Sequence, residues 1–347
     1  MTAPIRVLVV EDSLTVLQHL LEVLAGDPGI QVVGQATRAD EAIELCRRLR
    51  PDVMTLDMVL GSANGLTVTE QVMAWCPTPI LIVSSSTNRG DQLHTLDALA
   101  AGAVDVLDKA AAGAPGWEAR FREAVRRVAR IKVITHPRAR LEAHTQALRR
   151  AAPARRVPRV VAIGVSTGGP GALVRVLGAL PRDYPIPILV VLHIGQPFGE
   201  TFTSWLAGQV AIPVAVAEDG ARLPEVGQPG VKVAPADLHL LLSGGRLRVS
   251  DGPERHSCRP SVDVLFESLA REVGPGVVAC LLTGMGRDGA SGLLEIRRAG
   301  GTTYAQDEAT SVVFGMPREA IRLGAAGEVL PLERFAPTLI ELAGGAP

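Results

Sequence analysis

Short β-branched runs alternate with amphipathic stretches along most of the chain, and the alternation breaks only once. Ile5–Val10, Ile30–Ala36, Val53–Leu56, Ile80–Val83 and Val104–Leu107 read as strands. Helix-length segments separate them, among them one that Ser13 caps and that runs to about Leu24, and one over Ala39–Leu49. Strands spaced this way pair in parallel, because a helix-length crossover returns the chain to the same end of the sheet. After an amphipathic helix over 117–133 the pattern stops, and Arg, Ala and Pro dominate. It resumes with strands at Val160–Val165, Ile188–Leu192, Val231–Ala234 and Val277–Leu282. Helices are expected from about Pro170, near Phe198–Leu206, over Val262–Val273 and after Gly289. Leu238–Leu242 and Arg246–Val249, joined by Ser243-Gly244-Gly245, read as a β-hairpin. The expected architecture is two α/β domains: a five-stranded parallel one over 1–133, and a doubly wound, mostly parallel one with a hairpin over 158–347. Residues 134–157 are the expected linker.

A chain of 347 residues, 47% apolar and 20% charged, can bury two cores and is not disordered as a whole. A net charge of -1 weighs against nucleic acid as a partner, since phosphate binding needs a clustered positive excess. Between Arg120 and Arg159 only Glu123 and Glu142 offset a run of arginines; this reads as a solvated helix and hinge, with docking to an acidic partner as the alternative. Cys46, Cys76, Cys258 and Cys280 form no C-x-x-C pair and read as reduced, mostly buried thiols. The first apolar run is too short for a signal-peptide core, and no run reaches the roughly 20 residues of a membrane helix. A cytoplasmic protein without direct membrane insertion is expected.

Acids stand at the ends of two N-terminal strands: Glu11 and Asp12 after the first, Asp57 after the third. In parallel sheets the C-terminal strand ends share one edge, where ligands bind. Crowded carboxylates there repel one another unless a cation lies between them, and an oxygen-rich pocket suits Mg²⁺. Ser84 and Lys109 follow two further strands at the same edge; Lys109 is one of only three lysines, with Lys132 and Lys232.

In the second half Gly164-Val165-Ser166-Thr167-Gly168 follows a strand and precedes a helix, the G-x-S-x-G arrangement that lifts a serine to the sheet edge. Glycine-rich turns of this kind also bind phosphates, so the motif alone leaves both readings open. His193 ends a strand, and Asp288 lies in Thr283-Gly284-Met285-Gly286-Arg287-Asp288-Gly289 just beyond another. A hydroxyl, an imidazole and a carboxylate at one sheet edge point to acyl transfer, with Ser166 as nucleophile, His193 as base and Asp288 orienting the ring. The N–H groups of Met285 and Thr167 are the expected oxyanion donors. His256 and Cys258 read as a satisfied loop, because no second ligand pair has metal-site spacing. His239 reads as a hairpin residue, and Gln306-Asp307-Glu308 as a brace or lining of the site.

V-L-V-V-E-D-S, the Asp57 loop ending in N-G-L, I-V-S-S and D-K resemble a two-component receiver domain. A-I-G-V-S-T-G-G-P, L-V-V-L-H-I, R-P-S-V-D-V-L-F, L-L-T-G-M-G-R-D-G and A-Q-D-E-A-T-S-V-V-F-G-M-P resemble the catalytic domain of chemotaxis receptor methylesterases. The resemblance implies a flavodoxin-like receiver in which Asp57 accepts a phosphoryl group from a sensor histidine kinase. It implies Mg²⁺ held by Glu11, Asp12, Asp57 and the backbone carbonyl of Val59, with Ser84 and Lys109 as phosphate switch. It further implies hydrolysis of glutamate methyl esters, and glutamine deamidation, on chemoreceptor cytoplasmic domains, with no cofactor for the esterase and with the unphosphorylated receiver covering the site. Gly61, Asn64, Val106, Ala110 and Gly195 depart from the family pattern, as does His256-Ser257-Cys258. Two alternatives remain: the same hydrolase in another chemosensory pathway, or a response regulator whose second domain only binds partners.

Overall fold

A computed structural model describes residues 3–61, 63–85, 89–109, 112–131, 133, 158–195 and 197–344. The chain divides into two compact units, Met1–His136 and Pro137–Pro347. The expected linker and Ala110 lie outside the described residues.

The first unit runs β1 (Ile5–Val10), α1 (Leu14–Ala25), β2 (Ile30–Ala36), α2 (Ala39–Leu49), β3 (Val53–Leu56), the short β4 (Val59–Leu60) and β5 (Ala63–Asn64), and α3 (Gly65–Trp75). It ends with β6 (Ile80–Ser84), α4 (Arg89–Ala100), β7 (Asp105–Asp108) and α5 (Trp117–Val128). Five strands form one sheet in the order β2-β1-β3-β6-β7, all pairs parallel. Strand order reverses between β1 and β3, which opens a crevice beyond their C-terminal ends. The central strands bury both faces: Val7–Val10, Val53–Leu56 and Ile80–Val83 are all nearly inaccessible. Trp117 closes the α5 side, stacked between His19 and Phe121.

The second unit contains β8 (Val160–Val165), α6 (Gly169–Gly178), β9 (Ile188–Leu192), α7 (Phe198–Gln209), β10 (Val214–Val216), β11 (Val231–Val233), β12 (His239–Ser243), β13 (Arg246–Ser250) and α8 (Val262–Glu272). β14 (Val277–Leu281), α9 (Ala290–Arg298), β15 (Thr302–Gln306), α10 (Met316–Arg322), β16 (Glu328–Leu330) and α11 (Leu332–Leu342) follow. A seven-stranded parallel sheet has the order β10-β11-β9-β8-β14-β15-β16, and β12 and β13 form a separate antiparallel hairpin. From β8 the chain builds outward first on the β9 side and then on the β14 side, so the reversal lies at β8. One face of this sheet packs Leu189, Val191 and Leu281 against Val262, Leu265, Phe266 and Leu293.

Two expectations need correction. Ser13 stands at the N-cap of α1 but makes no capping hydrogen bond there; its N–H instead donates to Glu11 Oε1 at 3.3 Å. The last helix of the first unit stops at Val128 rather than 133. The residue pattern marks none of β4, β5, β10 or the elements after Arg298. β10 and β16 are only three residues each, too short to show a period.

Candidate active site

Ser166, His193 and Asp288 lie at the switch point of the seven-stranded sheet, with His193 and Asp288 in direct contact. Ser166 directly follows β8 and His193 directly follows β9; the register pairs Val165 with Leu192, so the two residues are next neighbours beyond adjacent strands. The peptide N–H of His193 donates to Val165 O (3.1 Å) and that of Ser166 to Thr283 O (3.0 Å), fixing both against the sheet. Gly168, at φ 77°, turns the chain into α6, and any side chain there would strike Val312. Asp288 arrives on the loop after β14.

Asp288 is nearly inaccessible and accepts four hydrogen bonds. His193 Nε2 and the Val262 N–H lie 2.9 and 2.6 Å from Oδ2, while Ser261 Oγ and the Asp263 N–H lie 2.7 and 3.2 Å from Oδ1. The backbone donors are the first turn of α8, whose unpaired N–H groups and dipole favour an anion. Burial raises the carboxyl pKa, but the bonds from His193, Ser261 and Val262 outweigh it and leave it below the ordinary value. Ser261 and the α8 terminus thus hold Asp288 ionised beneath the imidazole. This role is not legible in the chain: a capping serine ahead of Val-Asp-Val-Leu-Phe marks a helix start, but only the fold shows which anion it faces.

His193 is oriented with Nε2 toward Asp288, so Nδ1 is the nitrogen left for chemistry. In the described residues Nδ1 contacts Cys258 Sγ at 3.6 Å, and no hydrogen bond joins the ring to Ser166. Catalytic nucleophile–base hydrogen bonds often tighten only when substrate is bound. Burial works against the charged ring, yet the bonds to Asp288 and Cys258 push its pKa up to about 9. The N–H groups of Thr167 and Met285 have no acceptor among the described residues, and Met285 is partly exposed.

The loop after β14 is tightly braced. Gln306 Oε1 accepts from the Thr283 N–H at 2.7 Å and its Nε2 donates to Thr310 O at 2.7 Å, which makes Gln306 a brace. A Cβ on Gly284 would meet Ser166 Cβ at 2.7 Å and also strike Met316 Sδ. Gly284→Ala is therefore expected to lower the thermal midpoint through overpacking of about 1–3 kcal/mol and to displace Ser166. Calorimetry beside an activity assay checks both effects. His239 bridges Pro253 O and the Ser261 N–H, at 3.0 and 3.1 Å. His256 is satisfied by Asp263 Oδ2 (3.1 Å) and by Arg287 Nε (3.2 Å).

In the first unit Glu11, Asp12 and Asp57 converge at the β1/β3 crevice, each with an oxygen within 4.8 Å of the others. Lys109 Nζ bridges Glu11 Oε2 at 2.7 Å and Asp57 Oδ2 at 2.8 Å. Burial raises the pKa of both carboxyls against the pull of Lys109. Burial also opposes the charge on Lys109, but the two anions outweigh it and raise its pKa. Asp12 Oδ2 accepts from the Gly61 N–H at 3.1 Å. Ser84 is the buried last residue of β6, and its carbonyl accepts from the Lys109 N–H at 2.9 Å. Val59 lies exposed on β4. Val106 pairs with Ile82 on β7.

A receiver fold joined to a doubly wound sheet with a serine, a histidine and an aspartate at its switch point defines the class: a response regulator with a carboxylic ester hydrolase domain. Residues 161–339 match the CheB methylesterase family, and residues 7–114 match the response regulator receiver domain. A protein-glutamate methylesterase/protein-glutamine glutaminase 2 of Anaeromyxobacter dehalogenans is 44% identical over 341 residues, covering 98% of this chain and 97% of that one. A protein-glutamate methylesterase/protein-glutamine glutaminase of Nitrosospira multiformis is 43% identical over 352 residues, covering 97% of each. The crystal structure of the Thermotoga maritima CheB methylesterase catalytic domain aligns with a TM-score of 0.50 at 36% identity, over 53% of this chain and 98% of that domain. The chain belongs to the CheB methylesterase family.

Proposed function

We propose that the chain is a phosphorylation-activated protein-glutamate methylesterase of the cytoplasm. It hydrolyses glutamate methyl esters, and deamidates glutamines, on chemoreceptor cytoplasmic domains in chemotaxis adaptation. The observation that carries this reading is the His193–Asp288 hydrogen bond at the switch point beside Ser166. The domains are assigned as receiver 1–133, linker 134–157 and catalytic domain 158–347.

In this reading Ser166 Oγ attacks the ester carbonyl carbon while its proton passes to His193 Nδ1. Negative charge on the carbonyl oxygen meets the N–H groups of Thr167 and Met285. Donors of this kind are each worth about 10²–10³ in kcat. The tetrahedral species collapses as Nδ1 gives its proton to the leaving methoxy oxygen, so methanol departs and an acyl-serine remains. Water then attacks the acyl carbon, its proton goes to Nδ1 and on to Ser166 Oγ, and the glutamate side chain is released. With glutamine the leaving group is ammonia. Asp288 stays ionised throughout and stabilises the imidazolium.

Because the base must be neutral to accept a proton, kcat/KM is expected to rise with pH on a limb near the His193 pKa of about 9. The stability effect has the opposite sign. A raised folded-state pKa gives stabilisation that is complete below the ordinary histidine value and is lost as pH climbs toward 9. Parallel pH series of methanol release and chemical denaturation check both signs.

Asp57 is assigned as acceptor of a phosphoryl group from a sensor histidine kinase. Three clustered carboxylates offset by one lysine leave a net negative, hard-oxygen donor set, which fits Mg²⁺ better than a softer ion. Glu11, Asp12, Asp57 and the Val59 carbonyl would hold it, and when bound it neutralises phosphoryl oxygens. Lys109, already on Asp57, would pair with the added phosphoryl charge, and Ser84 would offer its hydroxyl. A small-molecule phosphodonor with Mg²⁺ is expected to raise esterase activity roughly 5–150-fold, the usual span of site-to-site coupling. Asp57→Asn should abolish that increase. Methanol release from purified methylated receptor fragments tests the function as a whole; no release above background, with or without phosphodonor, would contradict it.

A further inference from the structure

Cys258 occupies the side of the imidazole that the chemistry needs. Its Sγ lies 3.6 Å from His193 Nδ1, opposite the nitrogen held by Asp288. A two-residue turn brings it there: Arg255 and Cys258 exchange backbone hydrogen bonds of 3.1 and 2.9 Å. The residues between them, His256 and Ser257, sit at φ 54° and 58°. Two consecutive left-handed residues make a type I′ turn, a place usually filled by Gly or Asn. Non-glycine residues held there are strained, and they persist only where the surroundings over-determine them. Here they do: His256 is clamped between Asp263 and Arg287, and Arg255 forks onto Glu267 at 2.7 and 2.6 Å. Cys258 is also partly exposed, whereas Cys46, Cys76 and Cys280 are buried.

We infer that Cys258 is a positioning residue for the base: its thiol holds His193 Nδ1 in the resting site and must release it to Ser166 before acyl transfer. This rests on the roles proposed above for Ser166, His193 and Asp288. The thiol donates to the His256 carbonyl oxygen at 3.4 Å, which leaves a sulfur lone pair to accept from Nδ1–H of the charged ring, and the nitrogen is withheld from the serine. Two groups, Asp288 on Nε2 and Cys258 on Nδ1, favour the protonated ring. The titratable and charged groups behind them are Asp263, Arg255, His256 and Arg287, and their side-chain contacts to one another do not involve the sulfur. Removing the thiol therefore leaves one raising partner instead of two.

The position also makes the thiol a modification site within reach of the reaction. With methyl methanethiosulfonate, the Cys258 sulfur attacks the reagent's sulfenyl sulfur. A Cys258–S–S–CH₃ disulfide forms and methanesulfinate leaves, and the methylthio group then fills the Nδ1 face. A thiol reductant reverses it.

The test compares kcat/KM for methanol release against pH in the full-length wild type, Cys258→Ala, Cys258→Ser and Ser166→Ala. Cys258→Ala should move the rising limb down by about one pH unit and raise kcat/KM at neutral pH about tenfold. Cys258→Ser should fall between it and the wild type. Methyl methanethiosulfonate should silence the wild type, reversibly, and spare Cys258→Ala. Wild-type and Cys258→Ala limbs at the same pH, or wild-type activity that survives stoichiometric methylthiolation of residue 258, would overturn the role of Cys258 alone. A wild type no more active than Ser166→Ala would instead overturn the assignment on which it rests.

Discussion

Replacing Ser166 with alanine is expected to lower methanol release from methylated receptor by about 10⁴–10⁶-fold while the fold survives. Loss of a triad nucleophile removes the covalent route entirely, leaving only what binding and oxyanion donors supply. Ser166 is half-buried, and its backbone bonds to the sheet edge do not use the hydroxyl. Alanine therefore leaves no buried polar atom unsatisfied. Thermal unfolding within a degree or two of the wild type, beside the activity loss, would separate chemistry from stability. A variant retaining a tenth of the activity would require a different nucleophile.

Asp288→Asn is expected to cost about 10⁴-fold in kcat, the size of the effect when an amide fixes the wrong imidazole tautomer. In this site the amide does further harm. The Ser261 hydroxyl and the N–H groups of Val262 and Asp263 all point donors at the carboxylate. An asparagine NH₂ can turn away from only some of them, so one donor faces another. Loss of stability should therefore accompany loss of activity, unlike Ser166→Ala. Because the amide does not titrate, raising the pH should not rescue the variant. Steady-state kinetics with denaturant titration checks both, and retention of half the wild-type kcat would remove Asp288 from the mechanism.

Much of this was readable from residues whose meaning is local. β-branched runs bounded by turn residues marked β1, β2, β3, β8 and β9 at their observed limits. Strand-end positions gathered Glu11, Asp12, Asp57 and Lys109 at one crevice and Ser166, His193 and Asp288 at another, because parallel strands deliver all their C-terminal ends to one edge. What escaped was set by tertiary packing. Which nitrogen of His193 meets Asp288 depends on how α8 lies under the β14 loop, and no spacing in the chain encodes that. Cys258 looked inert beside His256 because its partner is 65 residues away and its turn lacks the usual glycine. β10 and β16 depend on sheet pairing rather than on their own three residues.

The most direct test is to map, by peptide mass spectrometry, where a serine-directed fluorophosphonate attaches to the wild-type chain. One adduct per chain on Ser166 is expected, lost in His193→Gln, with methanol release falling in proportion to labelling. An adduct on another residue, or full labelling at Ser166 with esterase activity intact, would contradict it.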